Sequence, residues 1–223
     1  MAEFDNETQR LTLKVVFYGP ALSGKTTNLT RLHDLLGTDL KGEMMVLETQ
    51  NDRTLFFDLL PLGLRAPSGL LIKLKLFTVP GQTVHDSTRK AVLSRADGVV
   101  FVADSQTSQI ANNAESFHNL ELNATRLGLD FASLPMVVQF NKRDLQDIVP
   151  KAELEQLWSG APWPLTFASA LQGEGVIDSF AALLGQLYDH LDPDYALLLE
   201  HQLDRQGFCD GLLGPVVSDT PGN

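Results

Sequence analysis

The sequence reads Gly19-Pro20-Ala21-Leu22-Ser23-Gly24-Lys25-Thr26 directly after its first strongly apolar run. The spacing of Gly, four residues and Gly-Lys-Thr predicts a loop whose backbone N–H groups point inward at an anion. Lys25 would add a positive charge for the outer phosphates, and the Thr26 hydroxyl is placed to ligate Mg²⁺. The candidate binding residues of this stretch are Gly19, Leu22, Ser23, Gly24, Lys25, Thr26 and Thr27.

This motif needs a strand before it and a helix after it, and the sequence offers both. The β-branched and aromatic run 11–18 is typical of a strand. Leucines at helical spacing follow over 27–36, and Gly37 is a suitable stop. The alternative, a chance glycine-rich turn, does not require these neighbours.

Strand patterns alternate with helical patterns from about residue 11 to residue 191, which is the signature of βαβ units. The alternation predicts an α/β fold, a P-loop NTPase G domain with a mostly parallel six-stranded sheet flanked by helices on both faces. Loop 61–69, with two prolines and two glycines, is expected to join the second and third strands as a hairpin. The six predicted strands are 11–18, 55–60, 70–77, 98–102, 136–140 and 165–167.

Three further motifs follow predicted strands, so they should meet the first loop at one edge of the sheet. They are Pro80-Gly81-Gln82, Asn141-Lys142-Arg143-Asp144 and Ser169-Ala170. A carboxylate placed like Asp144 accepts two hydrogen bonds from guanine, whereas adenine lacks that donor pair. Lys142 would lie along the base, Asn141 would join this loop to the first, and Ser169-Ala170 would offer a backbone N–H to the guanine oxygen. Taken alone, the Asn-Lys-Arg-Asp run is equally a polar turn after a strand.

In this order the motifs resemble those of a Ras-like small GTPase, and their detail is similar to the bacterial MglA family of polarity and gliding-motility GTPases. The resemblance covers about residues 11 to 191. It implies a switch that binds GTP or GDP with Mg²⁺, hydrolyses GTP to GDP and phosphate, and controls polarity or motility through effectors. The segments that carry it are Tyr18-Gly19-Pro20, Lys25-Thr26-Thr27-Asn28-Leu29, Lys41-Gly42-Glu43-Met44, Arg53-Thr54-Leu55-Phe56-Phe57-Asp58 and Thr78-Val79-Pro80-Gly81-Gln82.

The same resemblance implies the catalytic residues. Gln82 matches the glutamine that orients the attacking water, Gly81 beside it matches a phosphate contact, and Arg53 matches an arginine finger supplied in cis. The alternative for Arg53 is a surface salt bridge with a neighbouring acidic residue. Arg89 and Lys90 are expected on a mobile switch surface or at a partner contact.

The metal site departs from the usual small-GTPase pattern. Thr78 occupies the position where most small GTPases carry an Asp that holds a metal-bound water. The Mg²⁺ shell is therefore expected to use Thr26, Thr54, phosphate oxygens and waters. Asp58 is equally an outer-shell substitute or a solvated carboxylate.

Composition excludes several classes of protein. A net charge of −11 argues against a sequence-independent nucleic-acid binder, and the lone Cys209 excludes an internal disulfide. No signal peptide, membrane span or prenylation cysteine is apparent, so we expect a cytoplasmic monomer without a lipid anchor. A Roadblock-type MglB-like activating partner and polarity effectors follow from the resemblance, with recruitment to a cell pole by such partners. A binding module with negligible hydrolysis is the alternative function.

The chain is expected to divide into a lead-in over 1–10, the G domain over 11–191 and an acidic extension over 192–223. The extension carries six acidic residues against the single Arg205. We expect it to be partly helical and then irregular after Gly207. Its alternatives are a frayed terminus or a segment that docks a partner or covers the switches.

Overall fold

The computed structural model describes residues 2–37, 41–47, 57–80 and 86–214. Its strands are β1 (Glu3–Asp5), β2 (Arg10–Tyr18), β3 (Met45–Leu47), β4 (Phe57–Arg65), β5 (Leu71–Thr78), β6 (Gly98–Asp104), β7 (Met136–Asn141) and β8 (Leu165–Phe167). Its α-helices are α1 (Lys25–Leu35), α2 (Asp86–Leu93), α3 (Ile110–Arg126), α4 (Lys151–Trp158), α5 (Val176–Tyr195), α6 (Leu197–His201) and α7 (Arg205–Leu213).

All strands join one sheet, and its centre is parallel as predicted. The strand order is β3-β4-β5-β2-β6-β7-β8, with β1 paired to β2 outside this path. The pairs from β5 through β8 are parallel, whereas β3, β4 and β1 run antiparallel to their neighbours. The six predicted strands are present, and β1 and β3 extend the sheet to eight strands.

Helices cover both faces of the sheet, which confirms the predicted α/β architecture. One core cluster combines apolar side chains of α1, α5 and α7 with those of β2, β4 and β5. The other combines α2, α3 and α4 with β6 and β7. Strands β6 and β7 are buried at every position, as expected for strands covered on both sides. No helix among the described residues has the length and apolar character that crossing a bilayer requires.

The hairpin loop is shorter than predicted. Strand β4 continues through Pro61 and Gly63 to Arg65, and the turn occupies only the residues between Arg65 and Leu71. Pro61 is tolerated because its carbonyl faces Gly42, whose N–H donates to it at 3.0 Å, on the side away from β5. The backbone nitrogen of Pro61 faces the same outer side, so its missing N–H removes no hydrogen bond between β4 and β5.

The two ends of the chain are more regular than expected. The lead-in contains β1, which pairs with Arg10–Thr12 of β2. The expectation of irregular chain after Gly207 is wrong up to Leu213, because α7 spans that segment. The Asp204 side chain accepts the Gly207 N–H at 2.7 Å and caps the helix, and Phe208 and Leu212 bury its apolar side. Helix α5 runs past residue 191, and the division of the chain there stays a prediction.

Candidate functional site

Four loops meet at the carboxyl ends of the parallel strands, and together they form what we call the loop edge: residues 19–24, 78–80, 141–144 and 168–170. The first follows β2, the second follows β5, the third follows β7 and the fourth follows β8. The edge of a parallel sheet is where open α/β folds bind their ligands. The described residues of the four predicted loop motifs therefore lie at one edge of the sheet.

The first loop is held in a shape that only glycine permits at two positions. Gly19 has φ +145°, and a Cβ there would lie 2.2 Å from the Val102 carbonyl oxygen. Gly24 has φ +101°, and its Cβ would lie 2.2 Å from Nδ2 of Asn141. Helix α1 begins immediately afterwards, at Lys25. A tight loop that ends at a helix N-terminus has the geometry of an anion cradle, so these residues fit a phosphate group.

Lys25 is the buried cation of this cradle, with 7% of its surface exposed. Its Nζ donates to the Gly19 carbonyl at 3.1 Å and to the Pro20 carbonyl at 2.6 Å. Burial, and then the positive charge of Arg89, lowers the pKa of Lys25 to about 7. A negatively charged ligand beside Lys25 would favour its charged form.

The remaining predicted residues of the first loop differ in exposure. Ser23 is fully buried, whereas Leu22 is exposed and adopts a positive φ of 61°. Thr26 is exposed at the first turn of α1, and Thr27 beside it is half-buried. The Thr26 hydroxyl is thus accessible for a ligand.

The burial of Arg89 differs from what the sequence predicts. The sequence predicts that Arg89 lies on a mobile switch surface or at a partner contact, whereas it lies in α2 with only 1% of its surface exposed. Its guanidinium lies 5.9 Å from the centre of the Tyr18 ring at the end of β2. Helical spacing in α2 carries no signal for this burial, because arginine is usually a surface residue. Arg89 therefore belongs to the interior beside Lys25.

Asn141, in the third loop, connects the first loop with the fourth. Its Nδ2 donates to the Ser23 carbonyl at 2.8 Å, and its Oδ1 accepts the Ala170 N–H at 2.9 Å. The side chain is 2% exposed, so these bonds form away from water. One buried amide thereby fixes the distance between the first loop, the third loop and the fourth loop.

Lys142 and Asp144 follow with very different surroundings. The Lys142 Nζ lies 2.6 Å from Oδ2 of Asp104, a carboxylate buried at the end of β6. The backbone is fixed by the Arg143 N–H, which donates to the Ala168 carbonyl at 3.0 Å. Asp144 is exposed. Asp104 is a site residue that the motifs missed, and its only sequence signal is an acidic residue that ends a fully apolar strand.

The backbone N–H groups of Ser169 and Ala170 already have partners. That of Ser169 donates to the Glu174 carbonyl at 3.0 Å, and that of Ala170 donates to Asn141. To bind a guanine oxygen as predicted, either N–H would have to share its hydrogen atom. Their part in base binding stays a prediction.

The residues expected to act on the γ-phosphate lie largely outside the described part of the chain. Arg53, Thr54, Gly81 and Gln82 are not described. Thr78 ends β5 and is 3% exposed, while Asp58 lies in β4 with its backbone opposite Val46 of β3. The described residues contain no group of three or more His, Cys, Asp or Glu side chains that could hold a metal ion.

Comparison with known proteins agrees with this geometry. A family model described as the ADP-ribosylation factor family matches residues 66–187. Mutual gliding-motility protein MglA of Myxococcus xanthus (strain DK1622) is 41% identical over 183 residues, which cover 82% of this chain and 94% of that protein. The chain is a GTP-binding switch and a GTP hydrolase, and it belongs to the MglA family of small Ras-like GTPases.

Proposed function

We propose that the loop edge binds GTP and GDP with Mg²⁺, and that the switch controls cell polarity and gliding motility. The observation that carries the binding proposal is the buried Asn141 side chain, which joins the phosphate loop to the two loops expected around the base. These hydrogen bonds between protein groups hold the phosphate loop at a fixed distance from the loops expected around the base. A site whose loops are held by the protein's own contacts loses less freedom when it binds a ligand.

Each side of the site has a defined role in this proposal. On the phosphate side, backbone N–H groups of 19–24 and the Lys25 ammonium bind the phosphates. On the base side, Asp144 accepts the guanine donors while Lys142, held by Asp104, lies along the ring. Mg²⁺ would be held by Thr26 and Thr54 and would offset charge on the phosphate oxygens. Thr78 can bond a metal-bound water but adds no charge.

Hydrolysis is assigned to Gln82 and Arg53. Gln82 would orient the attacking water, and Arg53 would offset the charge that develops on the γ-phosphate. An arginine supplied by the same chain leaves a partner only the task of ordering the loop. We assign that task to a Roadblock-type MglB-like partner, and the output to polarity effectors that recruit the switch to a cell pole. The name of the Myxococcus xanthus relative supports the link to gliding motility.

The test is single-turnover hydrolysis of GTP by wild type, Arg53→Ala and Gln82→Ala, with and without a Roadblock-domain partner. Arg126→Ala, which removes an exposed arginine of α3, is the matched control. Loss of an arginine finger costs about 10³- to 10⁵-fold in rate, so Arg53→Ala should retain GTP and lose turnover. Equal rates for Arg53→Ala, Gln82→Ala and wild type under all conditions would refute the catalytic assignment.

A further inference from the structure

A second buried amide lies one step deeper than Asn141 on the same strand. Gln139 and Asn141 are two residues apart on β7, so their side chains lie on the same face of the sheet. Gln139 is fully buried in a strand that is otherwise almost entirely apolar. Burying a primary amide in such a place is costly unless it forms hydrogen bonds, and the Gln139 amide forms them through its nitrogen.

Both N–H bonds of the Gln139 amide are used, and they donate to side chains on two different helices. Nε2 donates to Oδ1 of Asn28 on α1 at 2.9 Å and to Oγ of Ser179 on α5 at 3.0 Å. Gln139 Oε1 has no hydrogen-bond partner among the described residues. This pattern fixes the orientation of the amide, since a flipped group would set its oxygen against the oxygen Oδ1 of Asn28.

The contacts continue to the two loops that the ligand would touch. On one side, Asn28 Nδ2 donates to the carbonyl of Gly24, the last residue of the phosphate loop, at 3.0 Å. On the other side, the Ser179 hydroxyl donates to the Gly175 carbonyl at 2.7 Å and lies 2.8 Å from the Thr166 hydroxyl on β8. Thr166 and Gly175 flank the loop that contains Ser169 and Ala170.

We propose that the Asn28–Gln139–Ser179 network is a second connection between the phosphate loop and the base-side loop, and that Gln139 is a positioning residue for the guanine nucleotide. Asn141 joins the loops at their tips, whereas Gln139 joins the elements that carry them. Loss of the network lets α1 and the start of α5 shift relative to each other, which separates the phosphate contacts from the base contacts. The inference rests on the proposed nucleotide site.

The experiment measures the dissociation rate of a fluorescent methylanthraniloyl-GDP, together with thermal stability, for Gln139→Met, Asn28→Leu and the double variant. These substitutions keep side-chain size and remove the hydrogen bonds. Each single variant should release the nucleotide about tenfold faster. The double variant should release it no faster than the more severe single variant, because the two residues act as one unit.

The double variant also separates positioning from general destabilisation. The double variant removes both the donor and the acceptor of the Asn28–Gln139 hydrogen bond, so neither group is left buried without its partner. Its thermal stability should therefore recover towards that of wild type, while its GDP release stays fast. Gln186→Met is the matched control, because Gln186 on α5 accepts the Met136 N–H at 2.9 Å at the opposite end of β7. This variant should lose stability without a change in GDP release.

Two results would overturn the inference. One is wild-type GDP release in Gln139→Met and Asn28→Leu. The other is release rates that simply follow stability across all variants, Gln186→Met included. Ser179→Ala, a milder change that keeps the apolar core intact, should accelerate release a few-fold and guards against variants that do not fold. An Asp144→Asn protein that still prefers guanine would instead contradict the proposed assignment of Asp144 to the base, independently of Gln139.

Discussion

The loop edge and helix α7 are both attached to the sheet, but by opposite kinds of contact. At the loop edge, buried polar side chains form hydrogen bonds to backbone groups of the loops. Asn141 bonds to Ser23 and Ala170, and Lys25 bonds to Gly19. At α7, apolar side chains fill the space, with Phe208 and Leu212 fully buried. Hydrogen bonds fix direction and distance, whereas apolar contacts mainly contribute burial free energy. The loop edge is therefore built for ligand geometry, and α7 for stability.

The largest effect that tests this difference is on base preference. Asp144→Asn replaces the acceptor carboxylate by an amide, which donates to the second carbonyl of xanthine but not to the guanine amine. We expect the preference for GDP over XDP to change by about 10⁴-fold, the range for a site built around a polar pair. Because Asp144 is exposed, thermal stability without nucleotide should hardly change. Competition of labelled GDP by XDP measures the preference, and an unchanged ratio contradicts the assignment of Asp144.

Next in size is the loss of core packing at α7. Phe208→Ala removes a fully buried ring whose centre lies 5.7 Å from that of Tyr188 on α5. The free energy of unfolding should fall by about 3–5 kcal/mol, measured by urea denaturation, while GDP release stays at the wild-type rate. Leu199→Ala, in α6 and 86% exposed, is the control and should change stability by less than about 0.5 kcal/mol. Faster GDP release in Phe208→Ala would break the comparison and favour a tail that acts on the switches.

These two regions also differ in how far the sequence predicts them. The phosphate loop was predicted residue by residue because Gly, Lys and Thr at fixed spacing have one well-known geometry. Helix α7 was missed because Gly207 and Gly211 weaken its local helical pattern, and tertiary burial of Phe208 overrides that weakness. The central strands were found for the opposite reason, since continuous apolar runs report burial directly.

Within the site, the missed residues share one physical cause. They are buried polar residues: Arg89, Asp104 and Gln139. Their contacts are with residues far away in sequence; Asp104, for example, bonds to Lys142, and Gln139 bonds to Asn28. Local patterns carry propensity and amphipathicity, but they do not carry the identity of a distant partner. Such residues can only be assigned once the fold brings the partners together.

A smaller effect concerns the buried charge of the loop edge. The pKa of Lys25 is lowered to about 7 by burial and by Arg89. Between pH 7 and about 10, the unfolded chain therefore binds one proton more at Lys25 than the folded, nucleotide-free protein, so folding stability rises with pH. Lys25→Met removes this dependence. We expect its stability advantage over wild type to be largest below pH 7 and to shrink by up to about 1.4 kcal/mol per pH unit above it.

Urea denaturation of both nucleotide-free proteins at several pH values between 6 and 9.5 measures this slope. Calorimetry of GDP binding in two buffers of different ionisation enthalpy measures the number of protons that binding takes up. Binding should take up a proton at pH 8, because the phosphates favour the charged form of Lys25, and this uptake should fall as the pH is lowered through about 7. A stability difference that does not vary with pH would mean that Lys25 stays charged in the folded protein.

The smallest expected effect lies at the only salt bridge of α7 within the described residues, between Arg205 and Asp189 of α5. The Arg205 Nε lies 3.1 Å from the Asp189 carboxylate, but both side chains are more than half exposed. The Arg205 guanidinium also lies against Gly185, where a Cβ would be 2.2 Å from Nη2. Arg205→Ala should therefore lower the free energy of unfolding by at most about 1 kcal/mol, through lost packing more than lost charge. Asp189→Asn, which keeps the packing, should cost less still. If Asp189→Asn costs as much as Phe208→Ala, charge rather than apolar burial holds α7, and the contrast with the loop edge fails.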